Sequence, residues 1–121
     1  MGDAVIVSAT RTAIGSARRG SLVDYDAFDL GKFAIQEALK RSGVPVEDVD
    51  DIVLAEVLQG GGVIARYVAI ELGMIEVPGL AHNRYCASSL ASVQTEARAT
   101  APAPTRAAAS SARPCRPASA C

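Results

Sequence analysis

Residues 51–82 read DIVLAEVLQGGGVIARYVAIELGMIEVPGLAH, and the fold class turns on this stretch. Ile52-Val53-Leu54-Ala55, with Val57 just after, has the length and the β-branched content of a strand. Gly60-Gly61-Gly62 supplies a flexible connection, and a helical pattern follows from about Ile64 to Leu72. Pro78-Gly79-Leu80-Ala81-His82 then leads into another strand. Strand, helix and strand in this order predict a layered α/β fold with an open sheet.

Working outward strengthens that pattern. Ala4-Val5-Ile6-Val7-Ser8-Ala9 is a nearly continuous apolar run suited to a strand covered on both faces. From about Asp26 a helix is expected, with Leu30, Phe33, Ala34, Ala38 and Leu39 on one face and Lys32, Gln36, Lys40 and Arg41 largely opposite. Gly43 and Pro45 end it, the first as a C-terminal cap and the second as a helix breaker. Glu47 to Asp51 is a polar turn, and Ser88 to Ala97 looks helical. The full order is βαβαβα.

After Glu96 the texture changes. The stretch 97–121, ARATAPAPTRAAASSARPCRPASAC, holds no acid and no large aliphatic or aromatic side chain. Such a segment has nothing to bury against its ordering entropy, and prolines at 102, 104, 114 and 117 block a continuous helix. The domain reading is therefore 1–96 as a folding unit and 97–121 as an Ala/Pro/Arg-rich tail, disordered, with at most a short helix around Arg106 to Ala112. A shifted reading frame in a GC-rich gene would also produce this composition.

Bulk properties exclude several classes of function. A formal net charge of -1 leaves no electrostatic footprint for nucleic acid or an anionic membrane. No apolar run is long enough to span a bilayer, and the start lacks the pattern of a secretory signal, so a cytoplasmic protein is expected. The three cysteines, Cys86, Cys115 and Cys121, have neither metal-ligand spacing nor a disulfide framework. With a single histidine, His82, no metal site is expected.

Cys86 is the candidate for chemistry. Open α/β sheets place their sites at the carboxyl ends of strands, where helix N-termini aim unpaired N–H groups and a positive dipole end. A thiol there becomes a better nucleophile, and the same amides steady an oxyanion. The residues alone leave two readings open, a packed thiol or a nucleophile.

A family resemblance bears on that choice. His82-Asn83-Arg84-Tyr85-Cys86-Ala87-Ser88-Ser89-Leu90-Ala91-Ser92-Val93 resembles the thiolase nucleophile motif, N-(R/K)-x-C-x-S-G-L-x-A-V. Val5-Ile6-Val7-Ser8-Ala9-Thr10-Arg11-Thr12-Ala13-Ile14-Gly15 resembles the family's V-I-V-S-A-x-R-T-P-I-G start. Asp48 to Val53 with Val57-Leu58-Gln59, and Ala65-Arg66, match in the same order.

The resemblance implies a thiolase fold of two similar βαβαβαββ halves in an αβαβα sandwich, of which this chain covers most of the first half. It implies an acyl-CoA C-acyltransferase of fatty acid metabolism, an acetyl-CoA acetyltransferase or 3-ketoacyl-CoA thiolase, in which Cys86 holds the acyl group as a thioester. Coenzyme A and acyl-CoA are then substrates, with no resident cofactor, and the parent enzyme is a homodimer or homotetramer.

Three departures stand out. The family's G-H-P histidine and C-x-G-G-G cysteine motifs do not occur, and neither His82 nor Cys115 nor Cys121 takes over their roles. Ser89 stands where the motif has glycine, and Ala13 where proline often follows Arg11-Thr12. An inactive or nearly inactive fragment is therefore expected. The alternatives are a non-catalytic module pairing with full-length subunits, and a ketoacyl-synthase-like enzyme. Arg11, Arg66 and Arg84 read as ion-pair or interface residues, and Gly60-Gly61-Gly62 as a hinge or turn.

Overall fold

The computed structural model describes residues 3–100. Helix α1, Ala27–Ser42, begins where the sequence supplies a capping box. The Asp26 carboxylate accepts from the Asp29 N–H at 2.9 Å, and the Asp29 carboxylate accepts from the Asp26 N–H at 3.3 Å. Two otherwise orphaned donors are satisfied reciprocally. The helix ends at Gly43, whose left-handed backbone returns its N–H to the Leu39 carbonyl. A 3₁₀ turn at Val46–Asp48 follows, then strand β1, Ile52–Ala55. Helix α2, Ile64–Glu71, leads to strand β2, Gly79–His82, and a 3₁₀ turn at Tyr85–Ala87 leads to helix α3, Ser88–Thr100.

The two strands are parallel, pairing Ile52 with Gly79 through Ala55 with His82. Parallel strands need a crossover, and α2 provides it. Ile52, Ala65, Ala69, Met74 and Val77 form the core, with Ile35, Leu39, Val49, Leu54 and Leu72 packed against it. At roughly 2 kcal/mol per large apolar side chain buried, this cluster is the principal stabilising contact of α2 with the sheet. Gly79 is required by close approach, since a Cβ there would collide with the Arg66 backbone nitrogen. Arg66 also donates from Nη1 to the Val77 carbonyl at 2.6 Å, tying α2 to the entry of β2. On the outer surface Lys32 of α1 meets Glu71 of α2 at 2.9 Å. That carboxylate, by hydrogen bond and then by charge, raises the lysine's pKa.

The α/β class and the central βαβ unit agree with the sequence pattern. The first expected strand differs. Residues 4–9 form no strand, and Val5, Ile6 and Val7 are exposed. An apolar run becomes a strand only when its N–H and C=O groups find a ladder, and among the described residues the sheet contains only β1 and β2. The run instead lines two open grooves, one with Val53, Val93 and Glu96 and the other with Ile35, Leu39, Val49 and Val53.

The apolar face of α1 is also rotated from expectation. Leu39 joins the core, together with Ile35, whereas Phe33 is exposed and stacks edge-on to Tyr25 with ring centroids 5.6 Å apart. Val57 falls just beyond β1. Helix α3 runs across the composition change at Ala97. The tail reading for 101–121, with Cys115 and Cys121, lies outside the described residues.

Candidate active site

β1 and β2 end side by side, and the turn that carries Cys86 follows β2 directly. The ladder extends one step past β1, where the Glu56 N–H donates to the His82 carbonyl at 2.9 Å. Beyond β2, Asn83 and Arg84 lead into the 3₁₀ turn that carries Cys86, and α3 begins two residues later at Ser88. Cys86 thus stands at the carboxyl end of a parallel sheet, beside the start of a helix of 13 residues, as the sequence led one to expect. Its thiol is exposed and unpaired.

The backbone before the cysteine is strained. Tyr85 has φ 50°, in the left-handed region that costs a residue with a Cβ about 1–2 kcal/mol. Side chains hold this turn from both directions. Asn83 donates from Nδ2 to the Val57 carbonyl at 2.7 Å, while its Oδ1 accepts from the Tyr85 N–H at 3.2 Å. Ser88 is buried, and its hydroxyl accepts from the Arg84 N–H at 2.7 Å. The single hydroxyl proton faces two carbonyl oxygens, that of Tyr85 at 2.7 Å and that of Glu56 at 3.1 Å.

Glu56 is the residue that sequence reasoning missed. It is 5% exposed, and one carboxylate oxygen accepts from the Gly62 N–H. Gly60, Gly61 and Gly62 all have positive φ, at 90°, 61° and 86°. The glycine triplet is thus a tight wrap around a buried carboxylate rather than a loose connection, and a Cβ on Gly60 would collide with Glu56. The available signal was a lone acid closing an apolar strand just before three glycines.

His82 is half-buried, and its Nε2 lies 2.9 Å from the Thr95 hydroxyl, as a packed histidine would be. Arg66 serves the fold through Val77, and neither Arg11 nor Arg84 forms an ion pair among the described residues. Ser89 is exposed on the first turn of α3. Among the described residues no group of three His, Cys, Asp or Glu side chains is placed to hold a metal, and no helix is long and apolar enough to cross a membrane.

Comparison with known proteins places this geometry. Residues 4–103 match the family model described as thiolase, N-terminal domain. A 3-ketoacyl-CoA thiolase of Bacillus subtilis is 39% identical over 98 residues, covering 77% of this chain and 25% of that protein. An acetyl-CoA acetyltransferase of Escherichia coli is 41% identical over 102 residues, covering 82% of this chain and 26% of that protein. The solved structure of human mitochondrial 3-ketoacyl-CoA thiolase in complex with CoA superposes with a TM-score of 0.69 at 36% identity, covering 76% of this chain and 24% of that one. The chain therefore spans about a quarter of the length of the relatives it matches.

Proposed function

The chain belongs to the thiolase family, and on that premise we propose that it carries the nucleophile of an acyl-CoA C-acyltransferase, with Cys86 as the residue that is acylated. The observation that carries this reading is an exposed thiol on a strained, doubly braced turn where two parallel strands end. Strain held in place by surrounding contacts is a mark of functional turns.

In the thiolytic direction the Cys86 thiolate attacks the keto carbon of a 3-ketoacyl-CoA. The bond between that carbon and the α-carbon breaks, its electron pair stays on the departing acetyl-CoA fragment, and that fragment takes up a proton. The shortened acyl group remains on Sγ as a thioester. Coenzyme A then attacks the thioester, gives up its thiol proton to a base, and releases Cys86. The reverse sequence is Claisen condensation. Cysteine suits both directions because it is a strong nucleophile and leaves as readily as coenzyme A's own thiol.

The relative solved with CoA supports acyl-CoA as the substrate class. Coenzyme A enters as substrate, and no resident cofactor is required. A cytoplasmic, homodimeric or homotetrameric parent enzyme of fatty acid metabolism completes the proposal.

Neither a G-H-P nor a C-x-G-G-G motif occurs in the sequence. Acyl transfer from acetyl-CoA to Cys86 needs only the thiolate, because no carbon–carbon bond breaks, whereas thiolysis and turnover need a base and a proton carrier for the departing acetyl-CoA fragment. The 121-residue chain, incubated with acetyl-CoA, is expected to gain one acetyl group on Cys86 with release of one coenzyme A, while its steady-state turnover stays far below that of a complete thiolase. Intact-mass and peptide mass spectrometry read the adduct, and Cys86→Ala is expected to abolish it. Acetylation that persists in Cys86→Ala would sink the assignment, and turnover matching a complete thiolase would show that the two absent motifs are dispensable.

A further inference from the structure

We infer that Ser88 is a positioning residue for Cys86, an inference that rests on the reading of Cys86 as the nucleophile. Ser88 is 2% exposed and is among the most completely buried side chains described. Serines inside helices commonly return their hydroxyl to the carbonyl four residues back, and Ser92 does so, reaching the Ser88 carbonyl at 3.2 Å. Ser88 behaves differently. Its oxygen takes the Arg84 N–H, and its proton lies toward the carbonyls of Tyr85 and Glu56. One small side chain thus clasps the residues before Cys86 and hangs them from the exit of β1.

Asn83 makes the matching clasp on the exposed side, from the Tyr85 N–H to the Val57 carbonyl. The turn is therefore suspended from two consecutive carbonyls, those of Glu56 and Val57. Tyr85, at φ 50°, directly precedes the nucleophile and is the residue these clasps hold in its left-handed conformation. Without the Ser88 hydroxyl, the part-buried Arg84 N–H loses its partner, and Tyr85 is free to relax toward ordinary φ. The Cys86 side chain, carried on the next residue of the same turn, then loses the fixed direction in which the turn presents it. The strained residue and the buried hydroxyl form one device, so relieving the strain removes the need for the hydroxyl.

That coupling supplies the test. The full chain is treated with iodoacetamide at neutral pH, and alkylation of Cys86 is timed on the tryptic peptide Tyr85–Arg98, which isolates it from Cys115 and Cys121. Ser88→Ala is expected to slow alkylation about fivefold, because the thiol loses its fixed presentation on the braced turn. In a Tyr85→Gly background, where the left-handed turn carries no steric penalty, the same change is expected to cost less than about twofold.

A Ser88 that served only packing would lower the melting temperature and leave alkylation unchanged, which overturns the proposal. A fivefold loss in both backgrounds overturns it as well. Should Ser88→Ala alone not fold, comparing Tyr85→Gly with Tyr85→Gly/Ser88→Ala still decides, since a fivefold loss in that relaxed pair contradicts the coupling. Acetyl transfer from acetyl-CoA, followed on the same peptide, separates the two readings. A wild-type chain that alkylates as expected but takes no acetyl group refutes the acyltransferase reading and leaves the positioning device standing.

Discussion

Two apolar approaches in this molecule met different fates. Gly79-Leu80-Ala81-His82 became a strand, paired residue for residue with β1 and extended by the bond from Glu56 to His82. Val5-Ile6-Val7, the more apolar and β-branched of the two, has no ladder and stands 75%, 85% and 66% exposed. Intrinsic preference therefore did not decide between them. The β2 segment follows a helix that packs on β1 and returns the chain beside it, and Gly79 lets that helix approach within backbone contact. A strand is a relation between segments, formed where backbone groups are satisfied by a neighbour.

The sharpest way to break this comparison is to truncate one isoleucine in each region. Ile52→Ala in β1 removes a side chain only 7% exposed from the core cluster, and a loss of about 3 kcal/mol is expected by chemical denaturation. Ile6→Ala is expected to change stability by less than about 0.5 kcal/mol. Equal losses at both sites would show that the amino-terminal run is packed in solution as tightly as β1.

Next in size is Gly79→Ala. The added methyl must push the α2 backbone away at Arg66 and Ala65, and overpacking of this kind costs about 2 kcal/mol. It should also loosen the β2 side of the site, so acetylation of Cys86 is expected to slow in the same variant.

The smallest effect concerns Glu96, which faces the amino-terminal run across an open groove. Burial, with a smaller contribution from the nearby Asp51 charge, raises its carboxyl above the ordinary 4.5. Between that value and the raised one, the folded chain binds more protons than the unfolded chain. The contribution is thus fully present below the unfolded value and is lost as pH rises through the folded one. Melting temperature followed from about pH 4 to about pH 7 is expected to decline slightly from this group, and Glu96→Gln to flatten that part of the profile. An unchanged profile in Glu96→Gln would mean that the groove is fully wet.

Much of the central unit was legible because its signals are local. Asp26 opens a helical pattern, Gly43 and Pro45 spell a stop, and the glycines after Gln59 a turn before a helix. Cys86 was legible from its sequence neighbours and from the junction they imply. Glu56 was not, because its meaning depends on a glycine loop folding back over it. The clasps from Asn83 and Ser88 were equally hidden, since their partners lie 26 and 32 residues away in the chain.

The sequence by itself determined the α/β class, the helix boundaries set by caps and breakers, and the identity of the candidate nucleophile, because each is written in residues within a turn or two of one another. Only the tertiary structure decided that residues 4–9 remain outside the sheet, that a buried glutamate organises the glycine triplet, and that the Cys86 turn hangs from the exit of β1. Those outcomes depend on which distant backbone groups meet, and a linear pattern does not carry that information.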